Sequence, residues 1–288
     1  MKPLYLLLPF FAVIGVFFVL PLALIVIYSF LQAGPYGGIV WHFSWDAYTR
    51  LLFERNFDGN LEFNPGYLIV FVRSLALAGI CTVLCLLAGF PMAYYMATRP
   101  QRQRNAWVLL VTIPFWTNLL VRTYAWMLIL RDEGLVNTLL MKLHVINAPL
   151  PLLYNGFAVG IGLLYSYLPF MILPVYATLE RLDWRLIEAA QDLYAGRFQT
   201  LRRIVIPLAA PGIIAGCVLV FIPAIGSFLA ADLLGGGKQM MIGNLIQMQF
   251  GFSRDWPLGS ALSVIVMAIV MIGLVLMARR GRGAGELV

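Results

Sequence analysis

Charge is what this 288-residue chain has least of: Asp, Glu, Lys and Arg together make up 11% of it, against 61% hydrophobic residues. A soluble globule needs a charged skin that this composition cannot supply, and a mean hydropathy of +0.87 excludes an ordinary soluble domain. Histidine is nearly missing. His42 and His144 are solitary, with neither Cys nor paired carboxylates at ligand spacing, so no metal site and no catalytic set is expected. The three cysteines, Cys81, Cys85 and Cys217, all fall inside apolar runs, and an odd number placed there argues against a disulfide framework. The alternating pattern of a barrel strand is also missing, which leaves helices as the way to cross a membrane.

Long apolar runs are what the chain does have. Six stretches, about 6–31, 67–97, 106–130, 152–178, 209–231 and 258–278, reach the roughly 20 residues a helix needs to cross about 30 Å of hydrocarbon. A cleavable leader would show a basic start, an apolar run of about 7–15 residues and a small-residue cleavage site. Here the run continues past Pro21 to Phe30 with no Ala-x-Ala after it, so a retained helix is expected. The expected fold is all-α and polytopic, with six transmembrane helices. Residues 1–66 form the first helix and a long external loop, 67–278 the core, and 279–288 a cytoplasmic tail.

Basic residues divide unequally between the two sides. With the amino terminus in the cytoplasm, that side holds twelve: Lys2, Arg99, Arg102, Arg104, Arg181, Arg185, Arg197, Arg202, Arg203, Arg279, Arg280 and Arg282. The other side holds six, while Arg73 and Arg122 lie within spans. Acids divide five inside, including Glu286, and eight outside. The positive-inside rule then puts both termini in the cytoplasm. The net charge of +7 therefore reports orientation in a membrane, and no nucleic-acid partner is expected. The external loop 33–66 carries Trp41, Trp45, Tyr48, Phe53 and Phe57, suited to a short interfacial helix. Pro91, Pro114, Pro169, Pro174 and Pro223 interrupt spans two to five and predict kinks, around a transport pathway or from bundle packing.

One polar stretch sits between two of the spans. Over 183–206, Leu186, Ile187, Ala190, Leu193, Tyr194, Phe198 and Leu201 recur at helical spacing while Arg185, Glu188, Asp192 and Gln199 fall on other faces. This predicts an amphipathic helix broken near Ala195 and Gly196, with Asp183 as N-cap and with Pro207, Pro211 and Gly212 turning the chain back into the membrane. A helix lying on the bilayer surface and a helix docking a protein fit this pattern equally well.

The stretch resembles the EAA loop of binding-protein-dependent ABC importer permeases, which reads Glu-Ala-Ala, three residues, Gly, nine residues, Ile-x-Leu-Pro. Glu188, Ala189, Ala190, Ile204 and Pro207 match in register, and Ile206 replaces Leu. Where the family has Gly this chain has Tyr194, with Gly196 two residues on, so the turn is either shifted or made without glycine. The resemblance runs from about 67 to 278 through "PFWTNLLVRTYAW", "YSYLPFMILPVYATLE", "FQTLRRIVIPL", "LVFIPAIG", "LLGGG" and "RDWPL", and is nearest to the polyamine (putrescine or spermidine) branch. It implies the type I importer permease fold and one of two membrane subunits, the other a different permease. It also implies two cytoplasmic ATPases docked on coupling helices at about 183–206, and a periplasmic substrate-binding protein.

Nucleotide chemistry is expected to reside in those partners. The only P-loop lookalike, Gly237-Lys238, is followed by Gln239 and has Asp232 where the first Gly belongs, so no cofactor and no hydrolysis are expected of this chain. Compensating a polyamine's charge needs carboxylates or aromatic faces, the latter worth about 0.5–2 kcal/mol each. No span centre holds Asp or Glu. Asp232, at the outer end of span five, is the carboxylate candidate, joined by Trp116, Tyr124 and Tyr165 and by the neutral acceptor Asn118. Related permeases often carry Glu where this chain has Ser227, so the partner permease is the expected source of a central charge. Arg122 would repel a polyamine and is expected in a structural contact, and Arg73 can snorkel. The competing reading is a self-sufficient secondary transporter or channel for organic cations, which the lack of buried Asp, Glu or His disfavours.

Overall fold

The long apolar runs fold as helices, two of them broken, because a backbone in hydrocarbon finds no water and must satisfy its N–H and C=O groups within the segment. The computed structural model describes residues 8–55 and 61–285. Lys2, Phe57 and Glu286 lie outside the described residues, as do the side chains of Arg279, Arg280 and Arg282. Five described helices are long and apolar enough to cross a membrane: Phe10–Ser29, Gly66–Ala97, Gly156–Glu180, Arg197–Ile225 and Trp256–Val275. A sixth span exists if Gln101–Trp116 and Leu119–Lys142, bent by 91° at their junction, are taken as one.

In chain order, α1 (Leu8–Ile14), a π-helical turn (Gly15–Val19) and α2 (Leu20–Ser29) make the first span. An antiparallel hairpin of β1 (Leu31–Ala33) and β2 (Ile39–Phe43) follows, then α3 (Asp46–Thr49) and a second hairpin, β3 (Phe53–Arg55) with β4 (Leu61–Phe63). Next come α4 (Gly66–Ala97), α5 (Gln101–Thr112) with a 3-10 turn (Ile113–Trp116), α6 (Leu119–Leu130) and α7 (Leu135–Lys142). Then follow α8 (Gly156–Glu180), α9 (Arg185–Asp192), α10 (Arg197–Thr200), a second π-helical turn (Leu201–Val205) and α11 (Ile206–Ile225). The chain ends with α12 (Leu229–Gly235), α13 (Ile242–Phe250) and α14 (Trp256–Gly285).

Four features differ from the sequence reading. The loop 33–66 contains the expected short helix, α3, but also two hairpins; Gly37 and Gly38, at φ 90° and 80°, supply the left-handed turn that joins β1 to β2. The third span is not one helix. Pro114 lacks an amide donor, Thr117 is extended, and the Asn118 side chain accepts from the Leu120 N–H at 2.8 Å to restart the helix in a new direction. Span five stops at Ile225, and Asp232 sits on the separate helix α12. Pro207 makes no turn: helix is continuous from Arg197 to Ile225. A wide turn replaces it, with the Ile206 N–H reaching five residues back to the Leu201 carbonyl, which relieves the clash a proline ring makes with the carbonyl four before it. The first span repeats the device, as the Leu20 N–H reaches Gly15 just before Pro21. Pro91, Pro169, Pro174 and Pro223 lie inside helices that run through them.

The chain packs as two units. In the first, Met1–Val72 with Ile242–Gly273, the external loop is fastened to the start of α14. Arg50 Nη1 donates to Asp255 at 2.7 Å, Asp255 accepts from the Leu258 N–H to cap α14, and the Gly38 N–H donates to the Arg254 carbonyl. Burial by itself would lower the Arg50 pKa, but the Asp255 hydrogen bond and the charges of Asp255 and Asp46 hold it above the ordinary arginine value.

The second unit, Arg73–Met241 with Leu274–Val288, contains the buried core, in which Met171, Ile172, Val175 and Leu179 of α8 are fully enclosed. Gly212 and Gly216, four apart on α11, let α8 and α11 approach closely. A methyl at Gly212 would stand 2.6 Å from the Pro174 carbonyl oxygen, and one at Gly216 would stand 2.7 Å from the Met171 sulfur. Cys81, Cys85 and Cys217 are free thiols.

Candidate functional site

The polar loop after α8 is built as two helices around one tight turn. Asp183 Oδ1 accepts from the Arg185 N–H at 3.0 Å, one residue before Trp184, which holds the N-cap position of α9 that the sequence assigned to Asp183. The Trp184 ring lies 6.1 Å from that of Tyr94, and Ile187 and Ala190 turn one face of α9 inward. Glu188, in the first turn, is exposed and favourably placed at the positive end of the helix; Ala189 beside it is exposed as well.

Tyr194 ends α9. Its N–H donates to the Gln191 carbonyl at 2.9 Å, the Ala195 N–H donates to the Ala190 carbonyl at 2.9 Å, and Tyr194 itself has φ 59°. That pair of bonds with a left-handed residue between them is a Schellman motif, whose left-handed position is normally glycine. The break therefore falls where the EAA pattern puts its glycine and is made by Tyr194. Gly196 has φ −66°, opens α10 with an extended ψ, and has open space where a side chain would go, so nothing there demands glycine.

The turn also aims side chains outward. Tyr194 is 98% exposed, and Leu193 at 82% and Phe198 at 75% stand beside it in sequence. Thr200 is buried on the inner side, with its hydroxyl donating to the Gly196 carbonyl. Ile204 is half-buried in the wide turn and Pro207 is exposed.

The pathway candidates lie on α6, α8 and α12, which pack against one another, and at the break before α6. Tyr165 of α8 makes an edge contact with Trp126 of α6, ring centroids 5.6 Å apart. Tyr124 on α6 and Asp232 on α12 are exposed, as is Trp116 at the break, at 77%. Asn118 is exposed and spends its oxygen on the helix cap. Arg122 is half-buried, and its Nε is buried without a hydrogen-bond partner among the described residues, so that atom does not make the structural contact expected of it. Arg73 reaches the Lys238 carbonyl at 3.4 Å.

Tyr167 is the residue the sequence left aside. Its hydroxyl donates to the Pro223 carbonyl at 3.1 Å, in the last turn of α11 where carbonyls lack helical partners. One phenol thus ties α8 to α11.

A family model described as "Binding-protein-dependent transport system inner membrane component" matches residues 85–280. The chain is 44% identical over 261 residues to the spermidine/putrescine transport system permease protein PotB of Escherichia coli (strain K12), covering 91% of this chain and 90% of that protein. It is 43% identical over 260 residues to the PotB protein of Haemophilus influenzae, covering 89% and 87% respectively. Among solved structures it resembles a chain of a bacterial alginate ABC transporter in complex with an alginate pentasaccharide-bound periplasmic protein, with a TM-score of 0.71 at 16% identity over 96% of this chain and 93% of that one. That likeness bears on the fold alone. With the family model spanning most of the chain and two relatives alike over nearly all of it, the chain belongs to the family of binding-protein-dependent transport system inner membrane components.

Proposed function

We propose that this chain is a transmembrane permease subunit of an ATP-driven ABC importer, moving putrescine or spermidine from an external binding protein across the inner membrane. The observation that carries the reading is the loop from Asp183 to Pro207. A membrane-anchored pair of helices buries Ile187, Ala190 and Thr200 while presenting Glu188, Tyr194 and Phe198 outward. In this reading separate ATPase subunits dock there, bind the nucleotide and drive the spans. The chain itself holds no nucleotide and catalyses nothing.

The substrate class rests on the PotB relatives. Trp116, Tyr124 and Tyr165 supply aromatic faces for a flexible cation, Asp232 a carboxylate and Asn118 its amide. The partners are a different permease subunit, two cytoplasmic ATPases and a periplasmic binding protein, with both termini of this chain in the cytoplasm.

The test is ATP hydrolysis by the chain reconstituted in lipid with its partner permease and ATPase, with binding protein that is empty or loaded with putrescine or spermidine. Stimulation by the loaded binding protein is expected. Hydrolysis that ignores the loaded state refutes the reading.

A further inference from the structure

A cleft of about 320 Å³ opens between α4 and α5, lined by Pro91, Met92, Tyr95, Met96 and Trp107. Its walls are almost wholly apolar, and its volume is in the roughly 300–1,000 Å³ range of small-molecule sites. Met92 and Tyr95 are exposed on a membrane-spanning helix, so the cleft faces hydrocarbon or a neighbour.

Its mouth is basic. The Trp107 ring meets Tyr95 edge-on at 5.7 Å, and the Arg99 guanidinium lies 4.1 Å above the Tyr95 ring, extending one ladder from the cleft to the end of α4. Arg99 Nε is buried without a hydrogen-bond partner among the described residues, a donor waiting for an acceptor. Arg104 Nε donates to the Arg99 carbonyl, which draws a second guanidinium to the same corner, and Arg102 lies exposed between them in sequence. Glu180 faces this group from α8, 3.7 Å from Arg104 Nη1, and leaves Arg99 and Arg102 uncompensated by it.

We propose that this cleft is a binding site for one anionic phospholipid: acyl chain along Tyr95 and Trp107, phosphate on Arg99. An apolar groove ending in guanidinium groups at the membrane surface matches a molecule that is apolar along its length and anionic at its head. The Arg104–Glu180 pair puts the site beside the end of α8 that leads into the Glu188 loop. The proposal is independent of which substrate the transporter carries.

The test uses the full chain, alone and assembled with its partner subunits, in bilayers containing phosphatidylglycerol or phosphatidylcholine brominated on the acyl chains. The fluorescence difference between the native chain and Trp107→Phe isolates Trp107. Stronger quenching by brominated phosphatidylglycerol is expected, with the preference reduced about fivefold by Arg99→Gln, the worth of one basic group at a membrane surface. Met92→Phe, which narrows the cleft and leaves the charges in place, is expected to lower retention of phosphatidylglycerol in native mass spectrometry. Inorganic phosphate at millimolar concentration should not displace the lipid. Equal quenching by the two lipids overturns the site, as does displacement by free phosphate. Protection of Trp107 only after assembly overturns it too, because the cleft is then a subunit interface.

Discussion

Replacing Tyr194 separates what the backbone of the coupling turn costs from what its side chain does. A left-handed conformation costs a residue with a Cβ roughly 1–2 kcal/mol, and glycine relieves this at some cost in unfolded-state entropy, leaving a net gain of about 1 kcal/mol for Tyr194→Gly. The side chain is 98% exposed in the isolated chain, so it contributes almost no packing to lose. If it seats in an ATPase groove, burying it contributes about 1.5–3 kcal/mol, or roughly 10- to 150-fold in affinity. Tyr194→Gly should therefore unfold at a higher temperature than the native chain in detergent, yet bind the ATPase more weakly. Tyr194→Ala should bind as weakly and gain no stability, since it keeps the strain. Thermal unfolding and ATPase retention on the purified membrane subunits read the two effects separately. Glycine no more stable than alanine refutes the strain argument; native ATPase affinity in both variants refutes the contact.

Four further outcomes follow from the geometry. Glu188→Lys should leave the fold and binding-protein docking intact while abolishing substrate-stimulated hydrolysis; retained stimulation counts against coupling at this loop. Gly196→Ala should be silent to within about 0.5 kcal/mol in thermal unfolding and in stimulated hydrolysis, because open space surrounds the position. Gly212→Val should cost about 1–3 kcal/mol, read as a lowered unfolding temperature, because its side chain meets the rigid Pro174 carbonyl on α8. Asp255→Asn should cost about 1–3 kcal/mol by stranding the partly buried Arg50, whereas Asp46→Asn, at the more exposed end of the same cluster, should cost well under that.

Spans and loop were legible for different reasons. The helices could be read from composition because hydrocarbon leaves the backbone no alternative, and the polar helices at 185–200 from their 3.6-residue period. The break in the third span was half-legible: Pro114 marked it, but a 91° turn also required Asn118 to cap a new helix, a choice made by local geometry. Gly226 and Ser227 could have separated Asp232 from span five; the apolar run across them hid the change of direction. The turn at Tyr194 was beyond sequence reasoning, since tyrosine has no preference for a left-handed conformation and the surrounding Schellman bonds impose it. Wide turns before Pro21 and Pro207 were hidden likewise: a proline signals a stop unless one extra residue in the preceding turn absorbs it.

The most direct test of the account is radiolabelled putrescine and spermidine uptake into proteoliposomes that hold this chain alone or the chain with its partner permease, ATPases, ATP and binding protein. The account predicts no flux through the chain alone and ATP-dependent uptake by the assembly. Passage of a polyamine down its gradient through the chain alone would contradict it, for the Glu188–Pro207 loop would then couple to nothing.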